Sequence, residues 1–177
     1  MKKYHSSDTT GWWVAGGITM FTALILFLMF RSVTPSDYSK KSTRELALLC
    51  TRDTATKFHI HADLKITING ENETIPANVG ILPTCMNSLH THDTRGTLHV
   101  EAPAERDFTL GDFFAVWQKS FTNNRVLDAT VDADHVIRVS VNGKKVSTFE
   151  TTVLHDDDQI VISYEEKNDT SFVTSTN

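Results

Sequence analysis

Five of the eight histidines in this 177-residue chain fall within two short stretches, and four of the five come as pairs separated by one residue. The first stretch is Phe58-His59-Ile60-His61-Ala62-Asp63-Leu64-Lys65-Ile66, and the second is Leu89-His90-Thr91-His92-Asp93-Thr94-Arg95-Gly96-Thr97-Leu98-His99-Val100-Glu101. Side chains of a β-strand alternate between its faces, so residues i and i+2 point the same way. His59, His61 and Asp63 therefore share a face, as do His90 with His92 and His99 with Glu101. Neutral imidazole binds zinc, copper, nickel or iron through one ring nitrogen, and three or four such ligands make a site. The spacing predicts a metal site on His59, His61, His90 and His92, with His99 as a fifth ligand or an orienting neighbour. Asp93 and Glu101 are candidates for ligands or for acceptors that orient a ring. A donor set rich in imidazole and without adjacent cysteine pairs suits copper or zinc. The competing reading is a hydrogen-bonded polar patch in which the histidines are structural.

The elements that must carry these residues can be read from period and turn chemistry. Ile60, Ala62, Leu64, Ile66 and Ile68 alternate with the first histidine pair, which predicts a strand with one face on a core. Asn69-Gly70 then signals a hairpin turn, since both residues tolerate positive φ. A return strand over residues 73–81 contains Pro76, which cannot donate to a ladder, so it lies at an edge or ends early. Residues 82–86 read as a connecting loop. A second hairpin pairs residues 90–93 with 97–101 around Thr94-Arg95-Gly96. The period then changes: Leu110, Phe113, Phe114, Trp117 and Phe121 form one helical stripe, with Thr109 as cap and Asp112 three residues on. Two late strands follow, over residues 136–141 and 159–164.

Composition places these elements in one modest domain behind an apolar segment. Residues 12–30 carry no charge, long enough for a helix of roughly 20 residues to cross the hydrocarbon. Trp12-Trp13 and Arg31 flank the run as interfacial anchors, and no small-x-small cleavage pattern follows it. The expected organisation is an N-terminal tail and transmembrane anchor over 1–31, a linker over 32–54, a His-rich α+β domain over 55–167 and a disordered tail over 168–177. Lys2 and Lys3 favour a cytoplasmic N-terminus, which puts the domain outside the cytoplasm on a single-pass cell-membrane anchor. In an oxidising compartment Cys50 and Cys85, the only cysteines, are expected to pair, and the alternative is Cys85 as a thiolate ligand near His90. A formal charge of −5 without a basic block argues against nucleic acid as a partner.

One helix among several strands makes an α+β domain, and the element order resembles a β-grasp module, with a small β-sandwich as the alternative. The blocks His59-Ile60-His61, Ile75-Pro76-Ala77-Asn78-Val79-Gly80-Ile81, Leu89-His90-Thr91-His92-Asp93 and Gly96-Thr97-Leu98-His99-Val100-Glu101 resemble an uncharacterised microbial family of single-span membrane-anchored proteins. Phe108-Thr109-Leu110-Gly111-Asp112-Phe113-Phe114 and Trp117 are similar to that family's helix block. The resemblance implies a shared domain and no particular reaction. Three function classes follow from the residues. The first is a membrane-anchored domain that captures, delivers or senses copper or zinc. The others are a metal-dependent enzyme and an accessory module that meets a membrane-protein partner.

Overall fold

A computed structural model describes residues 38–52 and 56–168 of the chain. Among the described residues there are twelve strands: β1 Cys50–Thr51, β2 Phe58–Ile68, β3 Glu71–Glu73, β4 Ile81–Leu82, β5 Cys85–Asn87 and β6 Leu89–His90. They continue as β7 Thr97–Ala102, β8 Arg125–Val126, β9 Ala129–Thr130, β10 His135–Val141, β11 Lys144–Val146 and β12 Asp158–Glu166. The helices are α1, Thr43–Ala47, and α2, Leu110–Trp117. The largest sheet runs β11-β10-β12-β2-β7-β6, with β3 also paired to β2. At its centre β2 and β12 lie parallel, while the other pairings are antiparallel. A three-stranded sheet, β1-β5-β4, and the β8-β9 pair stand apart from it.

The alternation of β2 is used as its sequence demands. Ala62, Leu64 and Ile66 are buried with Leu98 and Val100 of β7 and Ile160 and Ile162 of β12. Leu110, Phe113 and Phe114 of α2 join the same core. The helix opens on a full capping box, in which Thr109 Oγ1 accepts from the Asp112 N–H and the Asp112 carboxylate accepts from the Thr109 N–H. It stops after eight residues because Gln118 takes a left-handed conformation. Phe121, the last member of the expected stripe, therefore reaches the core from beyond the helix.

Several expectations are corrected. The described residues form a small β-rich domain, where an α+β domain behind a transmembrane helix was expected. No helix among the described residues is long and apolar enough to cross a membrane. The longer α-helix, at eight residues, spans about 12 Å against a hydrocarbon core of about 30 Å. The expected span over 12–30 lies outside the described residues, as do residues 169–177 of the expected tail. A single-pass location with the domain outside the cytoplasm thus has no support from the fold. The β-grasp expectation, one helix across one small sheet, gives way to three sheets and two α-helices among the described residues, and the β-sandwich alternative goes with it. Residues 38–52 of the supposed linker belong to the domain, because Leu46 and Ala47 are fully buried in the core. Arg44 ties α1 to α2, its Nη1 donating to the Gly111 carbonyl at 2.7 Å and its Nε meeting Asp112 Oδ1 at 2.8 Å.

Two local differences matter for the site. The return strand after Asn69-Gly70 ends at Glu73, and a looped segment from Thr74 through Pro76 leads into a turn over residues 77–80. Residues 82–86, read as a loop, instead complete the β4–β5 hairpin, which pairs Leu82 with Cys85. Cys85 of that hairpin forms a disulfide with Cys50, so β1 and β5 are joined covalently as well as by their ladder.

Candidate metal centre

Strand register brings the histidines together. β7 lies between β2 and β6, and its His99 pairs with His61 on one side and with His90 on the other. One row of three imidazoles thus crosses three strands. In the adjacent row of the same face, His59 pairs with Glu101. The ring centroids of His61 and His99 are 4.6 Å apart, and those of His90 and His99 are 5.3 Å apart in a stacked arrangement. His92 does not sit on a strand, because β6 ends at His90. Its ring nevertheless lies 4.8 Å from that of His90 and 4.5 Å from that of His99.

Two groups of donors result, each with its ligand atoms within 4.8 Å of one another. His90, His92, His99 and Glu101 make an inner group, and His59, His61 and His99 make an outer one. The face thus carries two groups that meet at His99, where the sequence had suggested a single four-histidine cluster. In the outer group His59 Nε2 lies 3.1 Å from His61 Nε2. Two nitrogens bound to one tetrahedral zinc at about 2.0–2.1 Å would stand about 3.3 Å apart, so this pair has the spacing of ligands. Glu101 Oε1 lies 3.4 Å from His59 Nε2 and 3.9 Å from His90 Nε2, between the two groups.

His90 has the most informative surroundings. Its side chain is 0% exposed, and its Nδ1 lies 3.2 Å from the Asn87 carbonyl oxygen. A carbonyl oxygen only accepts, so Nδ1 carries the proton and Nε2 keeps the lone pair. That Nε2 is buried without a hydrogen-bond partner. Leaving such an atom unsatisfied costs about 1–3 kcal/mol, and a metal ion is one partner that would answer it. Burial pushes the His90 pKa down to about 4 against the opposing pull of Glu101, which keeps the ring neutral, the form a metal requires. Burial also lowers the pKa of His99, reinforced by His61 and His92.

The backbone around the inner group is held by a segment whose part the sequence pattern did not disclose. Thr91 Oγ1 donates to the Pro76 carbonyl at 2.7 Å and accepts from the Val79 N–H at 3.1 Å. The Thr91 N–H donates to the Val79 carbonyl, and the Asn78 N–H donates to the Thr91 carbonyl. Thr91, sitting between two ligand candidates, is thereby clamped on its main chain and side chain. Gly80 lets this segment approach β6, since a Cβ there would stand 2.4 Å from the Leu89 carbonyl oxygen and its φ is +73°. Thr91→Val keeps the shape but strands the Pro76 carbonyl and the Val79 N–H. Unfolding in urea should register a loss of about 2 kcal/mol, and metal affinity should fall with it. A stability change below about 0.5 kcal/mol would show that the clamp does not hold the loop.

On the other side, the Asp156 carboxylate accepts from the His61 N–H at 2.9 Å, and the Asp157 N–H donates to the His61 carbonyl at 2.8 Å. Asp156 and Asp157 belong to a run of three consecutive aspartates that leads into β12. Asp93 does not join either group. Arg95 occupies its carboxylate through Nε at 2.8 Å and the backbone N–H at 2.8 Å, and holds its pKa below the usual range. Cys85 is in the disulfide, and no free cysteine is present, so a thiolate ligand is ruled out. His135 and His155 stand apart, paired with Asp132 at 2.9 Å and Asp158 at 3.3 Å. The His135 hydrogen bond is the main reason that the Asp132 carboxyl is pushed down to about 2. His5 lies outside the described residues.

Fold and site together define a β-rich domain with histidine groups on one sheet face that could hold a metal ion. No protein-family model, curated protein or solved structure matches the chain.

Proposed function

We propose that this domain binds copper(II) or zinc on its histidine face and acts in capture, delivery or sensing of that ion. The observation that carries the reading is the buried His90 Nε2, which has no hydrogen-bond partner and converges with His92, His99 and Glu101. Nitrogen donors with a single carboxylate suit copper(II) and zinc, whereas magnesium and calcium favour oxygen. A bound ion would act as a Lewis acid toward whatever occupies its remaining positions.

A second reading is supported by the 3.1 Å approach of His59 to His61, which fits an N–H···N bond between neutral imidazoles. In that case the histidines form a polar network that needs no metal. Titration of the metal-free protein with each ion separates the two readings. Metal binding is expected at neutral pH and should weaken in acid, where imidazole takes a proton and ceases to be a ligand; burial of His90 and His99 holds that loss to lower pH than a free imidazole would show. His92→Ala should weaken binding, while His135→Ala and His155→Ala should not. Absence of binding by the wild-type protein at pH 7 would leave the polar network.

A further inference from the structure

We infer that the histidine face holds two ions that share His99, an inner one retained and an outer one exchangeable. This rests on the metal-binding reading above and deepens it. The inner ion is held by His90, His92, His99 and Glu101, and the outer ion by His59, His61 and His99. Three observations converge. Six donor residues occupy one continuous face, more than a four-coordinate zinc or copper ion uses. They divide into two groups, each of a size that suits one ion, and the register places His99 between His61 and His90. Glu101 Oε1 then sits between the groups, close to both His59 Nε2 and His90 Nε2.

The shared ring is chemically adequate. Imidazole has two ring nitrogens, and it can serve two ions at once when its N–H proton is released to solvent. Two adjacent cations repel, and the Glu101 carboxylate supplies negative charge where that repulsion is greatest. Burial separates the roles. The His90 side chain is 0% exposed while His92 is exposed and His99 and Glu101 are half-buried, so the inner ion would keep one ligand sealed from solvent, which the outer group lacks. The His59 side chain is 47% exposed, so the outer ion would meet solvent and chelators directly. An exchangeable ion beside a retained one suits capture and delivery better than a purely structural role.

The test is stoichiometry by calorimetric titration of the metal-free full chain with zinc(II), with bound metal counted by elemental analysis. Wild type should take two equivalents, and a chelator should remove one of them quickly and the other slowly. His59→Ala with His61→Ala, both on solvent-accessible side chains, should take one equivalent with the affinity of the first site unchanged. With copper(II), the paramagnetic resonance signal of the first equivalent should diminish as the second binds, through coupling across His99. A single equivalent in wild type, unaffected by the double substitution, would overturn the two-ion inference and leave the metal-binding reading intact. A single equivalent lost on the double substitution would also overturn it, because one ion would then span both groups. No bound metal at all would remove both.

Discussion

His90→Ala is expected to weaken metal binding by more than about 100-fold, beyond the 10–100-fold that follows loss of a partner that merely orients a ligand. The reason is specific to this residue. Its proton is fixed on Nδ1 by the Asn87 carbonyl, its lone pair on Nε2 faces the group, and burial keeps it neutral. His92, carried on a loop, should be less costly to replace because the strand-borne ligands stay in register. Competition against a chromophoric chelator measures both, and equal losses for His90→Ala and His135→Ala would refute the assignment. The metal-free protein carries a related signature. A histidine held near a pKa of about 4 when folded takes its proton more readily when unfolded, near about 6.5. The unfolded state thus binds more protons between those values, so stability is full above about pH 6.5 and falls as the pH drops toward about 4. The size is roughly 3 kcal/mol for a shift of that extent. Urea unfolding of wild type and His90→Ala across that range should give a slope that flattens in the variant.

Opening the disulfide should have a comparable effect on the fold itself. Cys50→Ser with Cys85→Ser is expected to lower stability by about 2–4 kcal/mol, through the freedom regained by the unfolded chain over a 35-residue separation. The consequence should reach the metal centre. β5, which carries Cys85, ends at Asn87, and Asn87 orients His90 and shares a loop hydrogen bond with Gly80. Loosening the β1-β5-β4 sheet therefore frees the acceptor that fixes the His90 tautomer. Metal affinity should fall as well as stability, while His59→Ala should lower the affinity of the outer group alone with little change in stability. Denaturant melts and metal titrations on the same samples distinguish the two. An unchanged melting midpoint for the double serine variant would show that the staple adds nothing.

Much of the site was legible without the fold. The i, i+2 spacing of His59 with His61 and of His99 with Glu101 fixes each pair to one strand face, because pleating alternates side chains whatever the tertiary context. The same local rules placed β2, the Asn69-Gly70 turn, the Thr109 cap with its Asp112 partner, and the two late strands. Two cysteines allow one pairing, but whether Cys50 and Cys85 pair or Cys85 serves as a thiolate ligand was left to the fold, which joins them. What the tertiary structure alone decided is which faces meet. Strand register put His99 between His61 and His90, and so made two groups out of what spacing suggested was one. Local rules carry no information on the partner of an edge such as β6, nor on a loop such as that of His92, whose position depends on Thr91 gripping the segment from Pro76 to Val79. They misjudged α1 for the same reason. A short polar-rich stretch looks like a tether until Leu46 and Ala47 find the core and Arg44 finds Asp112 and the Gly111 carbonyl, the latter 67 residues away along the chain.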